Sequence, residues 1–192
     1  MMDYAWLISV LFQILVAWLF ADFVTGLFHW WEDRYLDDNQ TLEFFQGVAQ
    51  DNKRHHQYPT ALCMCSWWEN MRSAAIFASP VGFGLWLIDM PIWFWMGIYF
   101  TGFGNLIHRF SHEPKRKLNW FILAMQKTGL FISHEHHAKH HYFDDGKRVD
   151  PKWNSTRTYC PMTNWVNPIL DGIGFWWAIE SLLKAVGIRP IG

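Results

Sequence analysis

A chain of 192 residues suits one domain, and its 51% hydrophobic and 19% aromatic content, with 14 Trp, is that of a membrane protein carrying a polar cap. A formal net charge of −1 excludes a nucleic-acid surface, which needs a clustered excess of Lys and Arg. Three cysteines, Cys63, Cys65 and Cys160, are too few for a disulfide framework and fit a reducing compartment; Cys63 and Cys65 read as packing.

The first element, YAWLISVLFQILVAWLFADFVTGLFHWW from Tyr4 to Trp31, is interrupted by little beyond Gln13 and Asp22. It is long enough for the roughly 20 residues that cross a hydrocarbon core, so a span over 4–28 is expected. A cleaved signal is disfavoured, because the apolar run is long and no small-x-small site follows it. Residues 32 to about 72 are polar and form a cap outside the lipid. Two apolar runs follow, separated by Asp89 and Met90, with Pro91 opening the second. They predict a helical hairpin with spans over 73–88 and 91–107. The stretch 118–133 is short and carries Gln126 and Lys127, so it is expected to lie at the interface. The Trp-rich tail over 164–187 is expected to do the same, as amphipathic aromatic segments do.

The expected fold is therefore all-α: a single domain over 1–192, an integral, multi-pass membrane bundle of about three spans plus interfacial helices. Basic residues set its orientation. No Lys or Arg precedes the first span or sits in the hairpin turn, whereas Arg34, Lys53, Arg54, Arg72, Arg109, Lys115, Arg116 and Lys117 lie where the chain has crossed once or three times. Positive residues stay inside, so the polar cap and every histidine fall on the cytoplasmic side or its organellar equivalent.

Those histidines carry the chemistry. His29 closes the first span, His55 and His56 lie in the cap, His108 and His112 end the third span, and His134, His136, His137, His140 and His141 crowd one short stretch. His108 and His112 are i and i+4 on a helix and project from one side. His137, His140 and His141 stand at i, i+3 and i+4 and converge if that stretch is helical. His134 and His136 also fall within reach of that face, so spacing excludes neither. Adjacent His55 and His56 point apart, which suits two metals better than one. A lone interfacial histidine is a satisfied polar side chain more often than a ligand, but four groups on one membrane face favour a di-metal site. Zinc is satisfied by four ligands, often with Cys, whereas eight or nine imidazoles could serve two irons. Asp22 lies two helical turns before His29 in an apolar run where a carboxylate is costly, which suits fixing an imidazole tautomer. Asp33 and Glu32 could do the same, ligate directly, or be solvated charge at a helix end.

The motifs ADFVTGLFHW, RHHQYPT, NLIHRFSH, HHAKHH, YCPMTNWVNPILD and a closing GIRP, in that order from about Ala21 to Pro190, resemble the lipid desaturase family that includes plasmanylethanolamine desaturases (Kua proteins) and plant desaturases acting on chloroplast phosphatidylglycerol. The resemblance implies a membrane-bound, histidine-ligated di-iron oxidase that uses O2 to place a carbon–carbon double bond in a lipid-attached chain. Its implied metal ligands are His29, His55, His56, His108, His112, His137, His140 and His141. His136 matches only the plasmanyl side, and His134 matches neither branch. Asp22, Asp33, Asn105 and Asp171 are the groups expected to orient the imidazoles. The animal plasmanyl enzymes have PHETYFC before the tail motif, whereas this chain has WNSTRTYC, with Ser155 where that His would fall. Asn154 and GIRP resemble the plant branch, and the insertion YFDDGKRVDPKW resembles neither.

An acyl chain of a phospholipid is therefore the expected substrate, ahead of a vinyl-ether precursor or hydroxylation. A metal-binding or transport protein is the non-enzymatic alternative, but a transporter should line several spans with ionisable residues, and the hairpin has none. The glycines of the hairpin, Gly82, Gly84, Gly97, Gly102 and Gly104, fit close helix packing better than room for a substrate chain. No flavin, haem or iron–sulfur motif is visible, so electrons are expected from a separate donor, ferredoxin or a cytochrome b5-like protein.

Overall fold

The computed structural model describes residues 4–37, 39, 42–144, 147–148 and 158–191. Nine α-helices run through them: α1 (Tyr4–Tyr35), α2 (Glu43–Gln57), α3 (Trp67–Leu87), α4 (Ile92–Thr101), α5 (Gly104–His112), α6 (Trp120–Thr128), α7 (His134–Tyr142), α8 (Val166–Gly172) and α9 (Phe175–Ala185). The only strand pairing among these residues is the two-residue antiparallel match of Phe143–Asp144 with Lys147–Arg148, and residues 158–165 are irregular. The fold is all-helical, as composition and periodicity predict.

Helix α1 has 32 residues and is the one described helix long and apolar enough to cross a membrane. At 1.5 Å per residue it is about 48 Å long, well beyond the ~30 Å hydrocarbon thickness. Its last turns, with His29 and Asp33, therefore extend past the apolar stretch into the polar part of the molecule. Helix α4 packs against it, and α3 against α4, through side-chain-poor positions. A Cβ on Gly97 would stand 2.6 Å from the Phe20 ring and 3.1 Å from the Ala17 carbonyl. One on Gly82 would stand 2.8 Å from the Tyr99 ring, so both glycines serve close packing rather than a cavity.

The helix bounds differ from expectation in instructive places. Helix α3 starts at Trp67 rather than 73, because Ser66 and Glu69 form a reciprocal capping box: Glu69 N donates to Ser66 Oγ and Ser66 N to the Glu69 carboxylate. The stretch expected to be one helix over 91–107 is two. The backbone tightens to three-residue turns, with Gly102 N donating to Tyr99 O and Phe103 N to Phe100 O, and α5 restarts at Gly104 against the Thr25 side chain of α1. Ten residues of α4 span only about 15 Å, and the break falls at residues 102–103, ahead of His108. The expected interfacial segments are α6, closed by Gly129 in the left-handed region at φ 80°, and the pair α8 and α9.

Two buried clusters hold the cap on the bundle. Ala21, Leu106, Ile107, Phe110, Leu118, Ile122, Ile132 and Met162 join α1, α5, α6 and the segment before α8. Trp30, Tyr159, Cys160, Leu170 and Trp176 join the end of α1 to α8 and α9. A half-buried ion pair, Arg34 Nε to Glu180 Oε1 at 2.8 Å, ties α9 to the last turn of α1.

Candidate metal centre

Four helices deliver nine side chains to one place: His29 and Asp33 from α1, His55 and His56 from α2, His108 and His112 from α5, and His137, His140 and His141 from α7. They form two adjoining groups. One is His55, His108, His112, His137 and His141; the other is His29, Asp33, His56 and His140, and within each group a ligand atom from every residue lies within 4.8 Å of the others. All but His112 are buried. Adjacent His55 and His56 go to different groups. The groups touch, with the His56 and His141 rings 4.8 Å apart and the His29 and His108 rings 5.3 Å apart.

The chemistry of the first group does not close on its own protons. His112 Nε2 lies 3.2 Å from His108 Nε2, His108 Nε2 lies 2.7 Å from His137 Nε2, and His137 Nε2 lies 2.9 Å from His141 Nε2. Each such nitrogen carries one proton or one lone pair and can serve in one hydrogen bond, yet the His108 and His137 nitrogens each stand in two contacts. Both His55 ring nitrogens are buried with no hydrogen-bond partner among the described residues. Neutral nitrogens converging without protons to share are what a cation between them resolves. Two nitrogens each about 2.1 Å from one ion at right angles are about 3 Å apart, which is the spacing seen here.

The second group is a carboxylate among imidazoles. Asp33 Oδ1 accepts from Asn52 Nδ2 at 2.8 Å and lies 2.9 Å from His56 Nε2, while Oδ2 lies 3.1 Å from His140 Nε2 and 3.8 Å from His29 Nε2. Asp33 therefore sits among the donor atoms rather than behind them, whereas Glu32 lies outside both groups. His29 Nδ1–H donates to the Tyr159 carbonyl at 3.0 Å, which leaves its Nε2 lone pair facing the group.

Burial, reinforced by neighbouring imidazoles, holds His55, His137 and His141 well below the usual 6.5. At neutral pH these rings are neutral and their lone pairs are free to bind metal. An unfolded histidine takes up a proton near 6.5 while these folded ones refuse it until lower pH, so stability is full above 6.5 and falls as pH drops toward the folded values. Metal-free protein should accordingly lose thermal stability steeply between about pH 7 and pH 4, as a pH series of melting curves would show.

Several expected partners act elsewhere. Asp22 touches no histidine. Its fully buried carboxylate accepts from Met162 N at 2.7 Å, Thr163 N at 3.1 Å and Thr163 Oγ1 at 2.7 Å, so it anchors the segment that carries the Tyr159 carbonyl. Asp22→Ala strands three buried donors at about 1–3 kcal/mol each, and should lower the melting midpoint of the metal-free protein, which a carboxylate acting only on bound metal would not do. Asp171 lies beside Thr158, whose N–H is 3.4 Å from Oδ1, and belongs to neither group. Asn105 is exposed on α5, turned out of the buried donor groups. His136 faces Asn167, 3.4 Å from its Nδ2, and His134 Nδ1 is 2.8 Å from the Ser111 carbonyl; neither joins a group. His134→Ala should therefore retain bound metal and most activity, which metal analysis and lipid assay would check. Ser155 and Asn154 lie outside the described residues.

The structure also recruits residues that spacing did not single out. Asn167 brackets Cys160, accepting from its N–H at 2.8 Å and donating to its carbonyl at 2.7 Å. Gln126 donates to the carbonyls of Phe110 and Ile132, joining the end of α5 to the approach to α7. Arg109, between the two histidines of α5, donates to the carbonyls of Cys63 and Cys65 and so holds the turn that follows His55 and His56. Their sequence signal is weak: Arg109 adjoins a histidine motif, while Gln126 and Asn167 are polar residues in apolar stretches.

Residues 18–191 match the family model for the lipid desaturase domain, nearly the whole chain. The chain belongs to the lipid desaturase family. The family implies an oxidoreductase with a lipid substrate. Among its relatives, a probable fatty acid desaturase of Acanthamoeba polyphaga mimivirus is 26% identical over 96% of this chain and 88% of its own length. Fatty acid desaturase 4-like 2, chloroplastic, of Arabidopsis thaliana is 26% identical over 91% of this chain and 60% of its own. Plasmanylethanolamine desaturase 1 of Mus musculus is 27% identical over 94% of this chain and 68% of its own. The chain thus spans about half to two thirds of the plant and animal relatives. No solved structure matches it significantly.

Proposed function

We propose that this chain is an O2-dependent, di-iron lipid desaturase that introduces a double bond into an acyl chain of a membrane phospholipid. The observation that carries the reading is the divided donor set: five imidazoles in one group and three with Asp33 in the adjoining one. Five nitrogens exceed the tetrahedral closure of zinc, and imidazole with carboxylate suits iron without the oxidisable thiolates that O2 would attack. His55, His108, His112, His137 and His141 would hold one iron, and His29, Asp33, His56 and His140 the other. Iron bound there supplies the oxidising chemistry that removes hydrogen from adjacent methylenes. The protein's own task is to hold the donors with their lone pairs inward and to present a flexible lipid chain at a fixed distance.

The acyl substrate follows the names of the viral and plant relatives together with Asn154 and the GIRP ending, set against the mouse relative named for a plasmanyl lipid. Membrane placement follows from α1 and from the apolar surface around it. Trp6, Ile8, Leu11 and Phe12 of α1 and Phe77, Val81, Phe83 and Trp86 of α3 are all exposed, as are Trp120 of α6 and Trp177 of α9. In this reading α1, α3 and the α4–α5 pair cross the bilayer, α6, α8 and α9 lie at its interface, and the metal centre sits on the cytoplasmic side. Electrons come from a separate donor protein, a ferredoxin or a cytochrome b5-like protein.

Expression in a host lacking such an enzyme, followed by mass spectrometry of double-bond position and headgroup, tests the function. A new double bond in a phospholipid acyl chain is expected. A vinyl ether or a hydroxylated chain would replace the acyl assignment, and an unchanged lipid profile with bound metal would overturn the enzymatic one.

A further inference from the structure

We propose that Tyr159, Trp176, Trp30 and Tyr35 form a one-electron path between the metal centre and the protein surface. The inference rests on the iron and O2 reading above. The path begins at the second group, where the His140 and Tyr159 rings lie 5.3 Å apart edge to face. Tyr159 meets Trp176 at 4.9 Å, Trp176 stacks on Trp30 at 6.0 Å with 29° between planes, and Trp30 meets Tyr35 at 5.2 Å. Tyr159 is 0% exposed and Trp176 and Trp30 4% each, while Tyr35 is half-buried at the end of α1.

Residue type makes this run different from other aromatic contacts. Tyr and Trp give up an electron far more readily than Phe, and transfer between rings falls steeply with distance, so a path needs oxidisable rings in unbroken contact. Near the first group, Trp67 reaches Trp18 only through Phe110 and Phe131. From the end of α1, Trp31 leads only to Phe45, Phe44 and Phe77. Among the described ring contacts, the Tyr159 run alone starts on a histidine of the centre and continues through Tyr and Trp only. The four rings come from α1, α9 and the segment anchored by Asp22 and Asn167, so the same hydrogen bonds that orient His29 also fix the first step.

The electron balance is simple. Tyr159 gives one electron to the dioxygen-oxidised metal centre and its phenolic proton to a neighbouring carboxylate, Glu180 or Asp171, whose charge it feels. Trp176 reduces Tyr159, which recovers its proton, and Trp30 reduces Trp176. Tyr35 reduces Trp30, releasing its own proton to solvent, and a one-electron reductant of the ascorbate class restores Tyr35 with a proton from solvent. One electron passes from reductant to metal centre, and all four rings are returned unchanged. When no lipid is in place, the path drains oxidising equivalents away from the histidines.

Full-length, iron-loaded protein in lipid-free micelles would be exposed to O2 with and without ascorbate. Freeze-quenched samples would be read by electron paramagnetic resonance, and oxygen additions mapped by peptide mass spectrometry. Wild type should show an aromatic radical and, without ascorbate, oxidation at Trp30 and Tyr35. Trp176→Phe should keep its iron, lose oxidation at Trp30 and Tyr35, gain it at Tyr159 and the α7 histidines, and lose desaturation several-fold faster over repeated exposures. Tyr35→Phe, at the half-buried end where folding is least at risk, should retain iron and abolish the protection given by ascorbate. Unchanged oxidation maps and lifetimes in both variants, with wild type binding iron and desaturating lipid, would overturn the path alone. Wild type without iron or desaturation would overturn the functional reading and the path with it.

Discussion

Replacing His137 with Ala should release metal from the five-imidazole group and abolish desaturation. His137 is 1% exposed, and its Nε2 stands in two of the three close nitrogen contacts, to His108 at 2.7 Å and to His141 at 2.9 Å. Its removal opens a coordination position at the centre of the group and a buried void beside it. Loss of a group that merely orients a ligand typically costs 10–100-fold in metal affinity, and loss of the ligand itself should cost more. Iron per chain, measured on purified protein beside His134→Ala, checks this. The two variants remove the same side chain three positions apart on α7, so equal iron in both would sink the proposed ligand set.

Asp33→Ala should have a comparable effect on the other group. The carboxylate is the one anionic donor there, with His56 and His140 within 3.1 Å of its oxygens and Asn52 holding Oδ1. Without it, three imidazoles remain to offset a divalent charge in a buried site, and about one of two irons should be lost, with desaturation lost alongside it. Asp33→Asn keeps the shape and one oxygen donor but not the charge, and should retain more iron than Asp33→Ala. Two irons per chain in Asp33→Ala would return Asp33 to the role of a group that only orients His56.

The two variants also mark where sequence reasoning reached and where it stopped. The eight histidines named as candidate ligands are the eight the fold gathers, because i, i+3 and i+4 spacing on a helix places side chains on one face wherever that helix goes. Asp33 is on the same face as His29 by the same rule, but whether it stands among the donors or behind them depends on how α2 and α7 approach α1. Asp22 shows the opposite case. An acid in an apolar run signals function or a buried partner equally, and the partner, the Met162–Thr163 backbone 140 residues on, has no local signature.

Composition and periodicity by themselves determined that the chain is helical, that α1 outlasts a bilayer's apolar thickness, and which residue types could hold metal. These are short-range properties, written in hydrophobic runs, caps and helical spacing. Only the tertiary structure decided how the donors divide, that His55 and His56 part company, that the chain breaks at Gly102 to bring α5 in beside Thr25, and that His134 and His136 stay outside. Those outcomes are set by packing between segments distant in sequence, where a glycine's missing Cβ or a buried carboxylate's three hydrogen bonds fixes an approach that no local pattern encodes.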